Sequence, residues 1–140
     1  MILHATARFT PRSDAGRFVS VVVTPASFAA LNIALHMVLD EALSIVPVDT
    51  GALADSGKIV EAHSTGKTIS GDVVFDAPHA GYVEYGTGRR GEESPGAGPY
   101  PYKPDWPGMA ARPYLRPALD TVSKAIVEQF KSQLALRLNQ

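Results

Sequence analysis

Cysteine is absent from the 140-residue chain. Its absence excludes disulfide staples, thiolate metal sites and a cysteine nucleophile. It fits a reducing compartment or a protein indifferent to redox state. Excess charge is missing as well. Thirteen lysines and arginines against fourteen acids leave a formal net charge of −1, so no overall basic signature points to nucleic acid. No uninterrupted apolar run approaches the roughly 18 residues of a membrane span. The opening residues, Met1 to Arg8, lack the apolar core of a signal peptide. What remains is ordinary: 45% hydrophobic and 19% charged residues, the composition of one globular domain with a modest core.

The charge is unevenly placed. Residues 1–39 carry a net +2, residues 40–84 a net −6 and residues 85–140 a net +3. An acidic middle between basic ends could bind copies of itself head to tail, or the charges could pair within one subunit or simply face water. Residues 3–9 and 17–23 read as two strands of an N-terminal β-hairpin, the second rich in β-branched residues. Residues 24–47 read as a helix. Thr24 is placed as N-cap and Pro25 as first helical residue; Phe28, Leu31, Leu35, Val38, Leu39, Ala42 and Val46 form one apolar stripe, and Pro47 ends it. Residues 57–76 read as a second hairpin, with Ile69, Val73 and Phe75 sharing a face once Gly71 is counted as an inner gap. Pro78 to Gly86 suits a short helix stopped by Gly86. Residues 117–138 read as a final amphipathic helix, striped by Leu119, Val122, Ile126, Phe130, Leu134 and Leu138. The fold class expected is α+β: an antiparallel sheet packed by both amphipathic helices within a single domain, residues 1–140.

Between the short helix and the last one lies residues 86–111, with six glycines and five prolines in 26 residues. Glycine widens backbone choice and proline removes amide donors, so neither helix nor central strand is expected there. Structureless loops of more than about 15 residues are usually functional or disordered. Tyr100, Tyr102 and Trp106 are rigid aromatics that a solvating loop does not need. The segment therefore reads as an extended arm, with P-x-x-P spacing at Pro101–Pro104 and Pro104–Pro107, which takes its order from something it touches. A disordered surface loop is the plain alternative.

Three short patterns could carry chemistry. Asp49-Thr50-Gly51 resembles the aspartic-protease triplet, but it occurs once and follows a helix; a cap on a short turn is the simpler reading, with Gly51 turning the chain. Gly86-Thr-Gly-Arg-Arg-Gly91 matches the dinucleotide pattern but is followed by Glu92-Glu93-Ser94-Pro95, which cannot open the required helix. Glu84 is the one acid among aromatics. It could act as a general acid with Asp49 and His79, or it could be a structural partner for Arg112, Arg116 or backbone amides. Arg89, Arg90 and Lys103 could face DNA, with Arg112, although Glu92 and Glu93 stand beside them.

Taken in order, Pro47-Val-Asp-Thr-Gly-Ala-Leu53 after a helix, Tyr82-Val-Glu-Tyr-Gly-Thr87, and Arg112-Pro-Tyr-Leu-Arg-Pro-Ala118 opening a helix resemble the neck and tail-completion (head–tail joining) proteins of long-tailed bacteriophages. The resemblance covers about residues 26–138; the N-terminal hairpin and the long loop look like additions. It implies an α+β, non-enzymatic virion component with no metal or cofactor. It implies assembly in the host cytoplasm into a homo-oligomeric ring, sixfold to match the tail, touching portal-side connector or head-closure proteins and the tail terminator or tail tube protein. A tail terminator or head-closure protein contacting DNA in the lumen is the alternative, and a small hydrolase using Asp49 and Glu84 a lesser one. In the preferred reading Asp49 and Thr50 cap, Gly51 and Gly86 turn, Glu84 pairs with Arg112 or Arg116, and Tyr100, Tyr102 and Trp106 contact a neighbouring subunit.

Overall fold

The computed structural model describes residues 3–9, 24–65, 68–98 and 101–139. In chain order the elements are β1 (Leu3–Phe9), α1 (Thr24–Ile45), α2 (Ala52–Asp55), β2 (Gly57–Thr65), β3 (Thr68–Phe75), α3 (Ala80–Tyr85), α4 (Gly88–Glu92) and α5 (Leu115–Leu138). It is a mixed fold in which an antiparallel sheet packs against helices. The sheet has the order β1-β3-β2. Leu3 pairs with Phe75 and Phe9 with Ile69 on one side of β3, and Gly57 pairs with Phe75 on the other. The register slips between Val60 and His63; there the Ala62 amide donates instead to the Asn32 side-chain oxygen of α1, at 2.9 Å.

β3 buries alternate residues against α1, as its pattern requires. Ile69, Gly71, Val73 and Phe75 are all buried. A methyl group at Gly71 would lie 2.6 Å from a Leu35 methyl carbon, so the gap read at that position is where α1 approaches the sheet. β1 pairs with β3; its expected pairing with residues 17–23 falls outside the described residues. The rest of the expected N-terminal hairpin, residues 10–23, lies outside the described residues.

The last helix departs from expectation. α5 packs mainly on α1, with only slight contact to β1, rather than on the sheet beside α1. Its buried side is Leu115 and Ala118, continued by Val122, Ile126 and Phe130; Leu119, assigned to the stripe, is exposed. The reason lies in α1. Ala26, Ala30, Leu31, Ala34, Leu35, Val38 and Ala42 are all buried, more than one stripe can account for, so α1 has apolar surface for the sheet on one side and α5 on the other. By length and composition α1 is also apolar enough to cross a membrane, and Ile33, Leu43 and Ile45 are exposed on it. The helix stops at Ile45. Val46 makes the last helical bond, to Ala42 at 2.8 Å, and Pro47 has no amide to continue it.

Candidate assembly surface

The site begins at the start of α5. A helix leaves its first amides without partners, and in a buried position they must find acceptors elsewhere. The residue before α5, Tyr114, supplies no side-chain cap. The acceptor is Glu84 of α3, wholly buried. Its Oε2 takes the amides of Tyr114 (2.8 Å) and Leu115 (2.9 Å), and its Oε1 takes the amide of Arg116 (3.1 Å). The next residue, Pro117, has no amide to satisfy. Ala118 then makes the first bond of the helix proper, to the Tyr114 carbonyl at 3.3 Å. One carboxylate and one proline therefore account for every donor at this helix end. The Tyr-Val-Glu-Tyr and Pro-Tyr-Leu-Arg-Pro patterns are two halves of a single contact.

Arg116 closes the node. Its Nε donates to Glu84 at 3.3 Å, a terminal guanidinium nitrogen donates to the Gly96 carbonyl at 2.6 Å, and the guanidinium lies 5.0 Å from the Tyr85 ring centre. Of the two arginines weighed as partners, Arg116 takes the role. Arg112 donates its backbone amide to the Val83 carbonyl at 2.8 Å and lines a different groove. Beside the node, Tyr114 is wholly buried, edge-on to Phe75 with ring centres 4.9 Å apart. Burial, and then the nearby Glu84 charge, push its phenol pKa well above the ordinary tyrosine value.

Residues 86–111 overturn two expectations. They contain a helical turn, α4, and they close on their own chain instead of waiting for a neighbour. Thr87 and Met109 exchange both backbone bonds, at 2.8 and 2.9 Å; Arg89 and Arg90 donate to the carbonyls of Trp106 and Pro107. Glycine is what permits it. A methyl group at Gly108 would stand 2.0 Å from the Thr87 carbonyl oxygen, and one at Gly88 2.4 Å from that of Trp106; both have positive φ, 60° and 58°. Composition showed that glycine and proline prevent long regular elements. It did not show that glycines would pack backbone on backbone, and the spacing Gly86-x-Gly88-x-x-Gly91, set aside as a nucleotide signal, was the available clue. Tyr102 is used internally: its hydroxyl donates to the Tyr85 carbonyl at 2.9 Å and accepts the Gly98 amide at 2.7 Å. Tyr100 lies outside the described residues.

Among the grooves formed by the described residues, two hold residues singled out in the sequence. The larger, about 800 Å³, is lined by Tyr82, Gly86, Thr87, Gly88, Pro101, Tyr102, Lys103 and Trp106. Tyr82 is 49% and Trp106 53% exposed, so the groove presents aromatic surface to solvent. The smaller, about 400 Å³, brings together Asp49, Thr50, Gly51, His79, Met109 and Arg112. Asp49 does not cap α2. Gly51, with φ of 86°, is its N-cap, without a side-chain bond, and the Asp55 amide reaches the Gly51 carbonyl at 2.9 Å. The left-handed turn makes the backbone itself begin the helix; Thr50 Oγ1 accepts only a long contact from Ala52, at 3.4 Å. Gly86 stops α3 with φ of 76°. Asp49 and His79 share the smaller groove, but Glu84 is not in it and is occupied by the α5 amides, so the acid–base trio is not assembled. Arg89, Arg90 and Lys103 are exposed on the same loop as Glu92, Glu93 and Asp105, also exposed.

Fold and site together describe a small α+β protein that fixes a glycine–proline loop against its last helix and leaves aromatic surface beside it. Residues 26–86 match the sequence model of the HK97-gp10-like family, described as "Bacteriophage HK97-gp10, putative tail-component". The matched segment runs from α1 to the Tyr-Val-Glu-Tyr-Gly pattern, less than half of the chain, and ends where the closed loop begins. It is consistent with the neck and tail-completion family and supports a structural role in a phage tail. No curated protein and no solved structure matches the chain.

Proposed function

We propose that the protein is a structural component of the phage neck, assembling as a ring that joins the head connector to the tail. The observation that carries this reading is the match of residues 26–86 to a tail-component family. In support, the surface added beyond that segment is a loop closed on its own chain, whose exposed Trp106 lines a groove with exposed Tyr82, the kind of aromatic surface that protein interfaces favour. Its neighbours would be further copies of itself, connector or head-closure proteins above, and the tail terminator or tail tube below. It would act within the virion after assembly in the host cytoplasm. Contact with DNA in the lumen is the weaker reading, because Arg89, Arg90 and Lys103 are balanced by three acids on the same loop.

The test is complementation. A phage lacking this protein is supplied with a chain in which residues 88–108 are excised and Thr87 is joined to Met109 through a short glycine turn. Full heads and complete tails should accumulate unjoined. Normal joining would remove the loop from the mechanism, and virions complete without the protein altogether would remove the function.

A further inference from the structure

Between the side of α1 that meets the sheet and the side that meets α5 runs a third, uncovered stripe. Ile33, His36, Asp40 and Leu43 are all exposed on it, and they follow one another at intervals of three, four and three residues. That spacing keeps four side chains along one line of a helix, the seam by which two helices pack. Ile33 and Leu43 are each 39% exposed. Among the described residues neither His36 nor Asp40 has an ion-pair partner, the three salt bridges lying elsewhere. The four are symmetric about Val38. Ile33 and Leu43 stand five residues to either side of it, and His36 and Asp40 stand two.

We propose that this stripe pairs with the same stripe of a second copy, the two α1 helices running antiparallel about a two-fold axis beside Val38. Polar complementarity selects the occupant. In that arrangement Ile33 meets Leu43 of the second copy and His36 meets its Asp40, and each pair is made twice. An imidazole N–H can donate to a carboxylate whether or not the ring is charged. Parallel helices in register would set Asp40 against Asp40, which repels. The polar residues of the seam therefore fix its direction as well as its partner. A lipid surface is the poorer occupant, although α1 is long and apolar enough to cross a membrane, because Asp40 would have to enter hydrocarbon. The contact goes beyond the ring reading and does not depend on it. A two-fold contact is complete with two copies and cannot propagate round a ring of like-facing subunits, so it belongs to the free protein before a ring forms.

The experiment follows self-association of the full chain by sedimentation equilibrium, at concentrations up to about 1 mM, so that even a millimolar contact is seen. The wild type should dimerise. His36→Lys turns each imidazole–carboxylate pair into a full ion pair and should tighten the dimer about 3- to 10-fold, whereas His36→Glu sets acid against acid and should loosen it by at least as much. Position 36 is exposed, so both variants should keep the wild-type urea midpoint. Direction is read by cross-linking, because the chain has no cysteine of its own. A mixture of Ile33→Cys and Leu43→Cys chains should oxidise to the mixed disulfide. Either alone should stay uncross-linked, its two thiols held about 15 Å apart along the seam. A wild type that is monomeric throughout overturns the contact, as do equal association of the two position-36 variants and disulfides formed between like positions. A monomer that floats with phosphatidylcholine vesicles would give the stripe to lipid and overturn it too. All of these leave the ring reading standing, since that is judged by the copy number of the protein in the virion.

Discussion

At the scale of single residues, Glu84 carries the greatest weight. It is buried with three amides and one guanidinium nitrogen directed at its two oxygens. Glu84→Gln keeps the shape but removes the charge and turns an amide donor toward backbone donors. The expected cost is about 2–4 kcal/mol, since charge-assisted bonds are the strong ones and the orphaned amides stay buried. Arg116→Ala should cost less, about 1–2 kcal/mol, because its side chain is 47% exposed and the amides keep their acceptor. Urea unfolding of the two variants checks this; an equal or larger loss for Arg116→Ala would mean that the ion pair, not the helix cap, is the essential contact. Tyr114 predicts a pH effect of definite sign. Its folded pKa is raised, first by burial and then by Glu84. The stability it contributes is therefore complete below the unfolded value near 10 and is lost as pH rises above it. Wild type should weaken between about pH 10 and 11 more steeply than Tyr114→Phe. Parallel curves would assign the alkaline loss to other groups.

At the scale of elements, the loop is held by backbone pairs that glycine makes possible. Gly108→Ala places a methyl group against the Thr87 carbonyl at a positive φ, which the chain can relieve only by separating the two segments. Hydrogen exchange at the amides of Thr87, Arg89, Arg90 and Met109 should accelerate by about tenfold or more, while β3 amides keep their protection. Unchanged exchange at Thr87 and Met109 would show that the bridge does not hold the loop. The same element marks the limit of composition as a guide. Six glycines and five prolines correctly exclude a long helix or central strand, yet the four-bond pairing of residues 87–90 with 106–109 depends on two segments meeting across the whole loop. Nothing local encodes that meeting. For the same reason a reading from residues 100, 102 and 106 as equivalent contact aromatics could not separate Tyr102, engaged within the chain, from Trp106, left at the surface.

At the scale of the whole molecule, the core and the loop are separate. The fully buried apolar cluster draws on residues 31–80 and 114–118 and takes nothing from 86–111. Excision of residues 88–108 should therefore leave one cooperative unfolding transition, lowered by about 1–3 kcal/mol for the lost bonds to Arg116 and Ala111. A molten chain would show that the loop is part of the fold and would change the meaning of any assembly defect. The sequence by itself determined the positions of α1, the β2–β3 hairpin, α3 and α5 within a few residues, the gap at Gly71 and the stop at Pro47. Those features follow from side-chain period and turn chemistry, which act over a few residues. Only the tertiary structure decided that Glu84 meets Arg116 and not Arg112, that β1 lies beside β3, that α5 rests on α1, and that the loop closes on its own chain. Those choices lie between contacts of similar strength. They are made by which surfaces remain uncovered once α1 has settled on the sheet, and no short stretch of residues contains that information.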